Sequence, residues 1–97
     1  MIILHVRYQL NGMTREEFFD VVKAAQIGEG SRRDEGNIEY SYYLPVDTED
    51  EVLLVEIWKD EAALAAHQQS EHVKAWREVK SKYPVESKIV KYQAEEI

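Results

Sequence analysis

The chain has 97 residues, a formal net charge of −7 and no cysteine. Without thiols, disulfides, thiolate metal sites and a cysteine nucleophile are excluded. The negative charge argues against nucleic acid and anionic membrane as partners, since both would be repelled at long range. The length suits a single domain over residues 1–97, with one core and no separate cofactor domain.

The opening MIILHVRYQL has no basic leader and no long apolar run, so it reads as a strand and not as a signal peptide, with the cytoplasm as the expected location. Ile2, Leu4, Val6, Tyr8 and Leu10 alternate with Ile3, His5, Arg7 and Gln9, the period of a strand. Asn11-Gly12 turns the chain. Thr14 and Glu17 have the spacing of a capping box, with Met13 and Phe18 as its hydrophobic staple, so a helix starts at Thr14. Phe18, Val21, Val22 and Ala25 form its apolar stripe. Gly28 and Gly30 weaken its far end, which either stops near Ile27 or continues irregularly toward Arg33. Arg32-Arg33, the only basic doublet, is followed by Asp34 and Glu35 and reads as a solvated helix end or turn.

Gly36-Asn37 marks the next turn. Ile38, Tyr40, Tyr42 and Leu44 define one face of a second strand that Pro45 ends, and Asp47 to Glu51 is the hairpin connection. The third strand, Val52 to Trp58, is apolar on both faces: Leu53, Val55 and Ile57 on one, Val52, Leu54 and Trp58 on the other, with Glu56 the only polar member. Asp60 and Ser70 are two helix caps, which predicts helical pieces over Asp60 to Gln69 and Ser70 to Tyr83, with a kink between them and Pro84 as the stop. Val85 to Gln93 is the last strand.

The order β-α-β-β-α-β predicts a ferredoxin-like α+β fold, one antiparallel four-stranded sheet with helices on one face. Two helical segments cover only one side of such a sheet. A third strand apolar on both sides therefore predicts that the other side meets a second copy, giving a homodimer.

Candidate chemistry concentrates between Asp34 and Trp76. His67 and His72 are five residues apart, a turn of roughly 140° on an unbroken helix, so the spacing is a poor metal signature and no metal is expected; a kink at Ser70 would change that. His67 follows the small-residue run Ala62 to Ala66 and is either a satisfied core histidine or a base aimed into a cavity, where an ordinary pKa of about 6.5 suits proton abstraction. His72 and Trp76 are spaced to stack on one helix face, as site or as core. Glu56 lies beside Leu54 and Trp58 and needs a partner, with Arg7, Lys88 or a backbone donor as candidates; a buried ion pair fixing strand register is the plainer role. Tyr40, Tyr42 and Tyr43 line both sides of the second strand, and His5 shares the less apolar face of the first strand with Arg7. No nucleotide-binding or serine-hydrolase motif is present.

The segments E-G-N-I-E-Y, V-E-I-W-K-D-E-A-A-L-A-A-H and S-E-H-V resemble the antibiotic biosynthesis monooxygenase domain, the quinol-monooxygenase-like family. The resemblance implies a dimeric α/β barrel with a small pocket between sheet and helices. Some members oxygenate phenols or quinols with O2 without flavin, haem or metal. It points to His67 as the catalytic base and to Glu56, Trp58, Tyr40 and His72 as substrate-binding residues, with no cofactor and a small aromatic or quinone-like ligand. The haem-degrading branch is disfavoured, because His67 and Arg77 stand where its Trp and haem ligand would be and the first strand has no Asn. An isomerase branch shares the E-G-N turn, but its first-helix histidine is missing from A-A-Q-I-G-E-G. Three functions follow as expectations: a cofactor-independent monooxygenase, a cofactor-free isomerase of a small metabolite, or a non-catalytic ligand-binding or stress-response dimer. A cavity collapsed around Tyr40, Trp58 and His67 favours the last, a cationic phosphate site the isomerase, and a closed apolar cavity the oxygenase.

Overall fold

Residues 1–97 are described by a computed structural model. Strands β1 (Ile2–Gln9) and β3 (Glu51–Trp58) pair at the centre of a four-stranded antiparallel sheet, with β2 (Asn37–Tyr43) beyond β3 and β4 (Glu86–Gln93) beyond β1. The β1–β3 register sets Leu4 opposite Glu56 and Val6 opposite Leu54, so the even-numbered residues of both strands share one face. That face is buried under helices α1 (Arg15–Ala25), α2 (Ile27–Arg33), α3 (Glu61–Gln68) and α4 (Glu71–Lys80). The ferredoxin-like α+β fold expected from the sequence is present, with each of its two helical layers split in two. No helix is long and apolar enough to cross a membrane.

The first helix starts as the sequence predicts. Thr14 accepts the Glu17 amide proton at 3.0 Å and the Glu17 carboxylate accepts that of Thr14 at 2.9 Å, a reciprocal cap of the kind that contributes about 1 kcal/mol. Its end combines the two expected outcomes, a stop just before Ile27 and an irregular continuation to Arg33. The chain breaks at Gln26, which takes a left-handed conformation (φ 56°), and then runs helically through Gly28 and Gly30 to Arg33. Two glycines in one short helix are unfavourable by propensity. Packing outweighs this: the new direction buries Ile27, and a Cβ on Gly30 would lie 2.7 Å from Cγ of His72 on α4.

Two further expectations are corrected. Ile38 does not share a face with Tyr40 and Tyr42, because the β2–β3 register shifts between Asn37 and Glu39; it is 57% exposed, and Leu44 lies beyond the strand. The last helix ends at Lys80 and not at Tyr83. The connection between β2 and β3 is held by Arg15, whose guanidinium donates to the carbonyls of Pro45, Thr48 and Glu51 at 2.6–3.2 Å.

The opposite face of the sheet carries no helix. Ile3, Leu53, Val55 and Ile57 are half-buried there, and Tyr43, Val90 and Tyr92 toward the edges are exposed.

Candidate functional site

Asp60 accepts the Ala63 amide proton at 2.8 Å and starts α3, whose alanines let it lie close to the turn before β2. The approach is tight enough that a Cβ on Gly36 would meet Ala63 Cβ at 2.5 Å, and Gly36 itself has φ 82°. This seats His67, in the last turn of α3, against the sheet. Ser70 then separates the two helices: its hydroxyl donates to the His67 carbonyl at 2.6 Å and accepts the Val73 amide proton at 3.3 Å as the cap of α4. The change of direction at Ser70 brings the His67 and His72 rings to 5.8 Å.

Both rings meet Asp34, the residue that ends α2. His67 Nδ1 and His72 Nε2 each lie 2.7 Å from Asp34 Oδ2. An ionised carboxylate only accepts, so each of these nitrogens carries a proton, and the other nitrogen of a neutral His67, Nε2, has a free lone pair. That Nε2 lies 3.6 Å from Glu56 Oε1, too far for a hydrogen bond and close enough for one substrate oxygen to reach both. Glu56 accepts instead from Trp58 Nε1 at 3.1 Å, and the Trp58 ring supports His67 from behind at 4.4 Å between centroids. Burial pushes the Glu56 carboxyl up to about 7, against the Trp58 hydrogen bond that favours its charged form. Burial also holds His67 below the ordinary imidazole value, against the pull of Asp34, which favours the neutral ring.

Glu56 and His67 form the polar end of a cavity of about 100 Å³ between sheet and helices, with Leu4, Val6, Tyr40 and Trp76 among its apolar walls. Its outer rim consists of partly or fully exposed residues, including Gln68, Arg77, Lys80 and Ile89. The cavity is therefore open, neither collapsed nor wholly apolar.

Of the residues singled out from the sequence, Tyr40, Glu56 and His67 line the cavity. Trp58 is fully buried beneath His67 and lines nothing, and His72 turns to Asp34. The expected His72–Trp76 stack is absent; Trp76 packs edge-on against Tyr8 and Phe18 at 6.3 and 6.1 Å. Neither Arg7 nor Lys88 reaches Glu56. They are cross-strand neighbours on the opposite face, in register with Leu53 and not with Leu54 or Glu56. Sequence reasoning missed Asp34, Arg77 and Lys80. A signal existed for the last two: Val73, Trp76, Arg77 and Lys80 follow the i, i+3, i+4, i+7 spacing of one helix face.

Asp34, His67 and His72 place one donor atom each within 4.8 Å of one another, and two imidazoles with a carboxylate are a set able to hold a divalent transition ion. The break at Ser70 thus overcomes the spacing that kept the two histidines on different faces. In the structure the two N–H groups and the shared oxygen satisfy one another.

A family model described as antibiotic biosynthesis monooxygenase matches residues 1–79. YcnE of Bacillus subtilis strain 168, a candidate monooxygenase, is 35% identical over 72 residues, 74% of each chain. Among solved structures, a candidate antibiotic biosynthesis monooxygenase from Deinococcus radiodurans superposes with a TM-score of 0.86 at 19% identity, over 100% of this chain and 95% of the other. SnoaB of Streptomyces nogalater, a cofactor-independent oxygenase, superposes with a TM-score of 0.75 at 17% identity, over 99% of this chain and 94% of its own. At those identities the structural likeness is one of fold.

Proposed function

The chain belongs to the antibiotic biosynthesis monooxygenase family, and from that premise we propose that it oxygenates a small phenolic or quinol-type substrate with O2, without flavin, haem or metal. The observation that supports this most is the buried, neutral His67, held by Asp34 with Nε2 free toward Glu56 and the cavity. A general base needs a free lone pair within reach of the proton it takes, and a pKa that leaves it unprotonated at the working pH. The cavity volume of about 100 Å³ limits the buried part of a ligand to no more than a single ring; drug-sized ligands and larger cofactors occupy roughly 300 Å³ or more.

In the proposed reaction His67 Nε2 takes the phenolic proton. The phenolate gives one electron to O2, and the resulting phenoxyl radical and superoxide combine at a ring carbon, forming a C–O bond. The O–O bond then breaks: the outer oxygen takes the proton from His67 together with the proton released from that ring carbon, and leaves as water. The inner oxygen stays as the new carbonyl of a quinone. One phenol and one O2 give one quinone and one water. Leu4, Val6 and Tyr40 give the radical pair apolar walls, and the bound substrate itself has to fill the open rim to keep bulk water out.

The isomerase reading has one observation in its favour, the rim cations Arg77 and Lys80. Purified protein stripped of metal with a chelator, given a panel of monocyclic hydroquinones, is expected to consume one O2 per quinone formed without releasing hydrogen peroxide. Absence of O2 uptake across the panel sinks the oxygenase.

The family resemblance and the second apolar face together support a homodimer closed by the open side of the sheet, where Ile3, Leu53, Val55 and Ile57 are half-buried without a covering layer. Sedimentation at micromolar concentration is expected to give about twice the 11.4 kDa chain mass; a monomer rejects the sheet-to-sheet pairing.

A further inference from the structure

The cavity rim is cationic in a chain whose net charge is −7. Arg77 and Lys80 stand on one face of the last turns of α4, and both line the cavity. Neither has an acidic partner: the chain's ion pairs join Arg7 to Glu51, Lys91 to Glu61, and the two histidines to Asp34 and Glu56. The Arg77 guanidinium makes one long bond, 3.5 Å to the Gln68 carbonyl, leaving most of its five N–H groups free. Lys80 is half-buried, with its ammonium 5.9 Å from the centre of the Tyr8 ring and 3.4 Å from Ser87 Oγ. Burial and the neighbouring guanidinium both work against its charge.

Two like charges left side by side, one of them partly desolvated, are unfavourable unless something offsets them. Cations do complement helix C-termini. That accounts for basic residues in the last turn of α4, but not for both of them lining the same cavity as Glu56 and His67. An anionic group on the ligand would offset them.

We infer that the substrate is a monocyclic phenol or quinol carrying a carboxylate, with the hydroxyl at His67 and Glu56 and the carboxylate between Arg77 and Lys80. Resting on the oxygenase reading only for the hydroxyl end, this makes Arg77 and Lys80 the residues that set specificity. A carboxylate fits better than a phosphate. Besides Ser87 and Ile89 of β4, the rim includes the C-terminal ends of α3 and α4, where backbone carbonyls point outward, whereas phosphate sites use helix N-termini and their free N–H groups. Burial pushes the Glu56 carboxyl up to about 7, so it opposes an anionic ligand less than an ordinary carboxylate would.

The probes are 4-hydroxybenzoate and 4-hydroxybenzamide, near-equal in shape and different in charge, titrated calorimetrically at low and high salt, with 4-hydroxyphenyl phosphate as a third arm. Wild-type protein is expected to bind the acid roughly tenfold or more tightly than the amide, with the preference shrinking in high salt. Arg77→Gln with Lys80→Gln is expected to remove the preference and leave amide binding unchanged; should the double variant misfold, Arg77→Gln alone, at an exposed position, carries the same test. Equal affinity for acid and amide, no binding of either at millimolar concentration, a preference that survives the substitutions, or tighter binding of the phosphate than of the acid each overturns the inference. A charge preference retained in His67→Ala supports it. If the preference stands but wild-type protein shows no O2 uptake with 2,5-dihydroxybenzoate, the oxygenase reading fails and the carboxylate site remains.

Discussion

His67→Ala is expected to lower kcat/KM for quinol oxidation by about 10²–10⁴-fold, the range a positioned general base supplies. The loss should fall on kcat, because the ring-binding walls Leu4, Val6 and Tyr40 do not depend on the imidazole. His67 is 5% exposed, so its removal leaves a gap beside Trp58, and thermal unfolding must show that the variant is still folded. Asp34→Asn separates chemistry from packing. An asparagine amide facing His67 Nδ1 can donate, which favours the tautomer with its proton on Nε2 and blocks the lone pair that faces the cavity. Activity should drop by a comparable factor with little change in stability, and the imidazole nitrogen shifts in an NMR spectrum should report the switch. A folded Asp34→Asn protein with wild-type kcat and an unchanged tautomer removes Asp34 from the mechanism, and a fully active His67→Ala removes the base.

The second large effect is a stability difference that depends on pH. The carboxyl of Glu56 has its folded-state pKa raised from 4.5 to about 7, chiefly by burial. A carboxyl that holds its proton more tightly when folded makes the native state the better proton binder between those values, so stability falls as pH rises through that window. Glu56→Gln keeps the shape and the hydrogen bond from Trp58 but cannot ionise. It is expected to unfold at higher denaturant concentration than wild type at pH 8, by on the order of 2–3 kcal/mol, with the gap closing near pH 4.5. His67 has its pKa depressed and so contributes the opposite slope below the ordinary imidazole value, but it does so in both proteins. A gap independent of pH means that Glu56 is ionised in the folded protein at neutrality.

What the sequence disclosed was local or periodic. The Thr14–Glu17 cap, the Asp60 and Ser70 caps and the doubly apolar β3 are written within a few residues, and the structure carries them as expected. Asp34 was not legible, because its contacts with His67 and His72 span 33 and 38 residues and depend on where α2 ends. That end depends in turn on the left-handed Gln26, and a glutamine gives no signal for a positive φ. Trp58 was assigned to substrate binding by the family resemblance, and it shares a strand face with Glu56. Parity identifies a face but not which residues on it remain uncovered, and α3 closes over this one. Arg77 and Lys80 were overlooked for the opposite reason: polar residues on an amphipathic helix read as solvent-facing until a gap beneath them is known.

Both tryptophans lie at the site, in different positions. Trp58 lies 4.4 Å behind the imidazole in a fully dry position, while Trp76 forms part of the cavity wall. Since the chain has no other indole, its entire tryptophan emission originates beside the reacting groups. A protonated imidazole quenches an adjacent indole, and a bound quinone accepts its excitation. Tryptophan emission is thus expected to change when a ligand enters the cavity, through Trp76 in its wall and through Trp58, which touches both His67 and Glu56. Replacing either indole by phenylalanine leaves the emission of the other to be followed alone.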